Sequence, residues 1–281
     1  QTSLNISQST VEAVMKKNIT KSGCRVYDNG YIGIAGTLGE PRPATWAEAE
    51  ANLARKIPYP FEPEKNTKRT RDLRTLTISD EAFVREMEDL LSILHRNHPD
   101  FIFSNKIKLI ESEVILQNDA GLDYANYDRT VEFALLVKHI DSLNIFDTAV
   151  IRSGRSMEQE EIIRQTGEML AAFNQEAVLP DKQIMPVIVD EHSLLSKVTE
   201  SLNAETIGLG TSLFCGKIGT KAFHDKFGVF QDATEEKQHT PFFDMEGVVN
   251  QDDRIMLVDN GTILRPYADK KQAKVFSFEE T

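Results

Sequence analysis
Cysteine is scarce. Cys24 and Cys215 are the two in 281 residues, so no disulfide framework holds this chain together. Two lone thiols fit a reducing compartment, and cytoplasmic residence is the expectation. No apolar run approaches the ~20 residues of a membrane span, and no signal peptide is expected. Cations are outnumbered, with 32 Lys and Arg against 44 Asp and Glu, for a formal net charge of −12. That balance argues against non-specific nucleic-acid binding, which needs cations to neutralise phosphates, and against docking on an anionic membrane.

The sequence signatures of metal and nucleophile chemistry are absent too. There is no H-E-x-x-H and no C-x-x-C, the spacings that bring zinc ligands together. There is no G-x-S-x-G elbow. Gly210 and Gly216-Lys217 do not make a phosphate loop: five residues separate the glycines where that motif has four, and Ile218 stands where it needs Ser or Thr. Gly33, Gly36 and Gly39 read as strand-packing and turn residues. No cofactor and no metal are expected, and no residue is assigned a catalytic role.

What is present is a globular balance, 40% hydrophobic and 27% charged. The patterning predicts an α+β fold. Strands are expected at 2–7, 10–16, 24–27 and 31–35. Asp28-Asn29-Gly30 marks a hairpin, because both central residues of the favoured turn need positive φ. A helix is expected after Thr45, with Thr45 and Glu48 as a capping box, ended by Pro58 and Pro60. Residues 58–72 read as a surface connection, and the basic run Lys65, Lys68, Arg69, Arg71 and Arg74 as solvated. Ser79 opens a second helix with Phe83, Met87, Leu90, Leu91 and Leu94 on one face. Five extended segments follow, at 101–103, 106–110, 113–117, 122–127 and 130–139, as an antiparallel meander. Ser156 and Gln159 form a capping box before a helix that buries Ile162, Ile163, Met169, Leu170 and Phe173. A strand at 184–189, a helix at 191–202 and strands at 227–230, 255–258 and 263–264 complete the chain, with Asn260-Gly261 as a second hairpin turn. A boundary near Pro180 divides an N-terminal mixed α/β domain, 1–180, from a mostly β C-terminal domain, 181–281. The second domain's sheet edges lack visible partners, so it reads as truncated. The chain opens at Gln1 and not Met, and residues are expected to be missing at both ends.

Few residues invite chemistry. His95 and His98 could reach one metal, but no third ligand lies nearby in sequence; they read as helix-terminal histidines favoured by the macrodipole. His139 reads as structural, and His192, His224 and His239 as surface residues. Cys215 is either a thiol nucleophile that needs a histidine brought close by folding, or a small buried residue. Asp244 and Glu246, two apart, share a face if extended. They are loop carboxylates or line a cleft, and spacing alone does not fix their separation.

Three stretches, taken together, resemble one family. They are G-C-R-V-Y-D-N-G-Y-I-G-I-A-G at 23–36, G-T-S-L-F-C-G-K-I-G at 210–219, and T-P-F-F-D-M-E-G-V at 240–248 followed by N-G-T-I-L at 260–264. Their order and spacing resemble the TldD/PmbA family, also called modulators of DNA gyrase, loosely over 39–180 and well from Ile184 onward. The resemblance implies an α/β N-terminal domain, a β-rich C-terminal domain and a dimer enclosing a cavity. TldD-type members are zinc peptidases with H-E-x-x-x-H on the helix before the G-T-S segment and a later cysteine. Two imidazoles and a thiolate hold the zinc with one position open for water, and the glutamate serves as general base. Counting back from Gly210, the histidine positions fall here on Leu195 and Glu200, and the glutamate position on Ser196. This departure resembles the PmbA (TldE) branch, which partners the zinc-bearing subunit.

The resemblance therefore implies a non-zinc-binding subunit that helps enclose peptide substrates. It implies a dimer, formed with itself or with a zinc-bearing TldD-type homologue. Thr211, Ser212, Asp244 and Glu246 are the substrate-cleft candidates, and their other reading is turn chemistry and capping. Two further functions stay open: an independent hydrolase using Cys215 or carboxylates, and a non-catalytic protein-binding regulator of the gyrase-modulator type.

Overall fold
The structure, a computed structural model, describes residues 1–173, 175–176, 178, 181, 184–185 and 191–281, with 191–194 described by their helical backbone alone. The chain opens with strands β1 (Thr2–Ser7) and β2 (Thr10–Lys16), then β3 (Lys21–Asp28) and β4 (Tyr31–Leu38). Helix α1 (Pro43–Asn52) and the short strands β5 (Ile57–Pro58) and β6 (Lys68–Leu73) precede helix α2 (Asp80–Asn97). Two 17-residue strands follow, β7 (Phe101–Gln117) and β8 (Asp123–His139), then β9 (Thr148–Gly154) and α3 (Gln159–Phe173). The last part holds α4 (Glu191–Ser201), α5 (Ala204–Gly208), β10 (Val229–Asp232), β11 (Arg254–Asp259), β12 (Thr262–Ile263) and α6 (Lys270–Phe276). The architecture is α+β. Among the described residues, no helix is long and apolar enough to cross a membrane.

Two compact units share the chain. The first takes 1–18, 70–114 and 125–183; the second takes 19–69, 115–124 and 184–281. Pro180, where the sequence suggests a boundary, and most of the expected strand 184–189 lie outside the described residues.

The first unit is built on a sheet of order β2-β1-β7-β8, with β9 and β6 both against β8. Helix α2 covers it. Its 3.6-residue stripe of Phe83, Met87, Leu90, Leu91 and Leu94 is buried together with Leu4, Ile6, Phe103, Ile107, Leu135, Val137 and Leu170. Ser79 caps α2 by accepting from the Ala82 N–H at 3.2 Å, and Asp80 and Glu81 sit favourably at its positive end. The five extended segments expected from sequence are two continuous strands. Polar residues such as Asn105 interrupt the apolar pattern without breaking the backbone, and Asn105 takes a positive φ of 98° within β7. The helix expected to be capped by Ser156 starts later, at Gln159, because the Ser156 hydroxyl donates to Glu158 (3.1 Å). Phe173, expected inside, is 41% exposed and rests edge-on against Phe101.

The second unit holds two three-stranded sheets, β3-β4-β5 and β10-β11-β12. Both Asn-Gly turns form as the sequence demands. Asn29 and Gly30 have φ of 49° and 78° between the paired residues Asp28 and Tyr31, and Asn260 and Gly261 have 46° and 76° between Asp259 and Thr262. Helix α1 begins at Pro43, earlier than expected. Proline suits a first helical position, where its missing N–H is not needed. Thr45 thus lies inside the first turn, its hydroxyl accepting from the Arg42 N–H at 3.4 Å. The helix lies directly on β4. A Cβ on Gly33 would stand 1.9 Å from the Ala49 carbonyl oxygen, so only glycine permits this approach. Cys24, Ala35 and Ala49 fill the contact. A separate core of Val198, Leu202, Phe214, Val229, Leu257, Val258 and Ile263 lies between α4 and the β10–β12 sheet.

Candidate functional site
The D-x-E-G-V stretch is a turn wound around one carboxylate. Asp244 Oδ1 accepts from the backbone N–H of Glu246 (2.8 Å) and of Val248 (2.9 Å). The backbone closes the turn with Gly247 N to Asp244 O and Asp244 N to Val248 O, both 3.1 Å. Gly247 has φ of 87° and would press any Cβ to 3.0 Å from Glu64 Cγ, so the motif's glycine is fixed by both conformation and space.

Glu246 uses both oxygens. Oε1 accepts from the Tyr59 hydroxyl at 3.0 Å, and Oε2 accepts from the Lys270 N–H at 3.2 Å, the first residue of α6. Burial, with the neighbouring Glu246 carboxylate, pushes the Tyr59 phenol far above its ordinary range, so Tyr59 stays protonated and donates. Lys270 is 5% exposed, and its ammonium donates to Glu64 Oε1 (2.7 Å) and the Glu62 carbonyl (3.2 Å). Arg25 Nη1 donates to the Met245 carbonyl at 2.6 Å.

Beside this turn, Arg69 makes a two-pronged contact with Asp253 (2.6 and 2.5 Å) and stands 4.1 Å over the Phe242 ring. Tyr124 packs against Phe242 and Phe243 and shares a hydrogen bond with Thr67 at 3.2 Å. The basic run is solvated in part: Lys65, Lys68 and Arg74 are exposed, while Arg69 and Arg71 are engaged by the fold. Arg69 is held as described, Arg74 pairs with Asp72, and Arg71 is buried in the first unit, donating from Nε to Asn126 at 2.8 Å. Tyr59, Glu64, Arg69, Asp253 and Lys270 were not singled out by sequence as belonging to this loop. Arg69 and Asp253 are 184 residues apart, so no local pattern could have paired them.

Thr211 and Ser212 follow α5. The Thr211 hydroxyl donates to the Thr206 carbonyl at 3.2 Å. The Ser212 hydroxyl donates to the Ser201 carbonyl at 2.5 Å and accepts from the Phe214 N–H at 2.9 Å. Among the described residues, no hydrogen bond joins Thr211 or Ser212 to Asp244 or Glu246. In this geometry Thr211, Ser212 and Asp244 serve local turns, and Glu246 joins Tyr59 to the first turn of α6. Cys215 is half-buried, with Sγ 3.7 Å from the Ile207 carbonyl oxygen.

Residues 195, 196 and 200, where the resemblance implies the zinc ligands and general base of a TldD-type peptidase, lie on α4. Leu195 is 41% exposed and has no lone pair to offer. Glu200 is exposed and pairs with Lys197 at 3.3 Å. The Thr199 hydroxyl turns back to the carbonyls of Leu195 (3.0 Å) and Ser196 (3.1 Å). An aliphatic side chain, a hydroxyl and one solvated carboxylate do not fit a catalytic zinc, which takes three protein ligands. Among the described residues, no group of three His, Cys, Asp or Glu could hold a metal ion. His95 is exposed at the end of α2 and His98 is half-buried there.

Residues 182–281 match the family model of the PmbA/TldA metallopeptidase C-terminal domain. The match covers 100 of the 281 residues. The whole fold agrees. It is similar to TldE from Thermococcus kodakarensis (TM-score 0.76, 15% identity), covering 100% of this chain and 67% of that one. It is also similar to a Thermotoga maritima protein described as a modulator of a DNA gyrase (TM-score 0.70, 18% identity, 100% and 67% covered). A Bacteroides thetaiotaomicron protein of the same description matches at TM-score 0.64 and 12% identity, with 100% and 68% covered. No curated protein matches the chain.

Proposed function
We propose that this chain is a non-zinc-binding subunit of a TldD/PmbA-type metallopeptidase and helps enclose peptide substrates. One feature supports the reading: counted back from Gly210 as the resemblance implies, the H-E-x-x-x-H positions of the zinc-bearing type fall on Leu195, Ser196 and Glu200, which the structure places on α4. The catalytic metal then comes from a partner, a zinc-bearing homologue, and this chain supplies scaffold and cleft. Thr211, Ser212, Asp244 and Glu246 are the cleft candidates, acting through the turns they shape. Cytoplasmic residence goes with this role.

An independent hydrolase is less well supported. Cys215 has a backbone carbonyl as its described partner, and both Glu246 oxygens are engaged within the fold. Co-expression with a histidine-bearing homologue tests the proposal. The expected outcome is co-purification and peptide cleavage that depends on the homologue's zinc ligands and persists with Cys215→Ala here. A chain that cleaves peptides alone, after exhaustive chelation, contradicts it.

A further inference from the structure
Asn-Gly occurs twice in the sequence, each time after an aspartate: Asp28-Asn29-Gly30 and Asp259-Asn260-Gly261. The two turns match in conformation, with φ of 49° and 78° in the first and 46° and 76° in the second. They match in side-chain bonding too. Asn29 Nδ2 donates to Asp28 Oδ2 at 2.9 Å, and Asn260 Nδ2 donates to Asp259 Oδ2 at 3.2 Å. Both asparagines are exposed. Neither the local sequence nor the asparagine itself distinguishes the two places.

The glycines differ. Gly261 is buried, its N–H donates to the Phe227 carbonyl at 2.9 Å, and its carbonyl accepts from the N–H groups of Ala222 (2.9 Å) and Phe223 (3.0 Å). A Cβ there would stand 2.2 Å from the Phe223 carbonyl oxygen, so backbone closes over it. Gly30 is exposed, and nothing lies within 4 Å of the place a Cβ would take. Its carbonyl accepts from the Tyr59 N–H at 2.7 Å, while its own N–H has no hydrogen-bond partner among the described residues. A backbone nitrogen attacks the side-chain amide of the residue before it only if its hydrogen is free to leave and the peptide can rotate toward that amide. Glycine allows the rotation through its wide φ/ψ range. A buried, hydrogen-bonded N–H must first be opened out of the fold.

We propose that Asn29 is a site of spontaneous deamidation and that the fold protects Asn260 from the same reaction. Gly30 N forms a bond to Asn29 Cγ, and the Cγ–Nδ2 bond breaks. The departing nitrogen takes the Gly30 proton and leaves as ammonia, and a five-membered succinimide remains. One water opens the ring at either carbonyl and gives aspartate or isoaspartate at position 29. Both products add a negative charge beside Asp28. Isoaspartate also carries the main chain through the side-chain carbons, which adds one atom to the turn between β3 and β4. The added atom shifts the Gly30 carbonyl that the Tyr59 N–H uses, and the Tyr59 hydroxyl holds Glu246. The reaction therefore reaches the 244–248 turn. It does not rest on the subunit role, because it needs neither zinc nor a partner.

The full chain held at mildly alkaline pH, once folded and once in enough urea to unfold it, tests this. Peptides carrying residues 29 and 260 are followed by mass spectrometry, with enzymatic methylation to detect isoaspartate. In the folded chain Asn29 is expected to convert about tenfold or more faster than Asn260, the factor that one net hydrogen bond supplies. In urea the two rates are expected to converge, because both sites read Asp-Asn-Gly. Equal rates in the folded chain, faster conversion at Asn260, no conversion at Asn29 over a time in which the unfolded chain reacts, or a difference that persists unchanged in urea overturns the proposal.

Discussion
At the scale of single residues, the D-x-E-G-V turn explains itself by hydrogen bonds. Asp244 satisfies two backbone donors that the turn leaves without partners. Asp244→Ala is expected to lower stability by about 1–2 kcal/mol, and Asp244→Asn, which keeps one acceptor, by less. Urea unfolding at neutral pH measures both. Tyr59 gives a pH signature. Its phenol is held protonated in the folded chain by burial and by Glu246, so its folded pKa lies above the value of about 10 in the unfolded chain. Such a raised value contributes stability that is fully present below pH ~10 and lost as pH rises beyond it. Tyr59→Phe is expected to cost about 1 kcal/mol at neutral pH and to flatten the alkaline loss. The denaturation midpoint followed from pH 7 to 11 shows whether it does; an unchanged alkaline slope would remove Tyr59 from this role.

At the scale of elements, local chemistry was readable and distant pairing was not. The two Asn-Gly hairpins, the Ser79 cap and the apolar stripe of α2 all follow from residues within one or two turns of each other. Gly33 was read as a packing glycine, and the structure shows why: α1 rests on β4 at that point. Gly33→Ala is therefore expected to cost about 3 kcal/mol, since the new methyl meets backbone and not a flexible side chain. A thermal shift of under two degrees would contradict this close approach. The starts of α1 and α3 were misplaced because a threonine and a serine with a well-spaced partner resemble caps. In the fold, Thr45 accepts from the Arg42 N–H inside the first turn, and Ser156 donates to Glu158. The strands β7 and β8 were cut short because polar residues on the less buried face look like interruptions. Arg69 and Arg71 were read as solvated because their partners, Asp253 and Asn126, stand 184 and 55 positions away.

At the scale of the whole molecule, the two compact units interleave in sequence, so neither is a continuous stretch of chain. The second gathers 19–69, 115–124 and 184–281, and the 244–248 turn with its Tyr59, Glu64 and Lys270 contacts holds the first and last of these segments together. The family-matched segment is thus completed by residues from the first quarter of the chain. That arrangement explains why the candidate site was only half legible: its motif residues are local, and the side chains that fix them are not. The proposed function turns on α4. Zinc measured by elemental analysis on the isolated chain, and then on the chain bound to a histidine-bearing homologue, tests the central claim most directly. The account predicts no tightly held zinc on the isolated chain and about one per zinc-bearing partner in the complex. Stoichiometric zinc on the isolated chain, lost on substitution of Glu200, would contradict it.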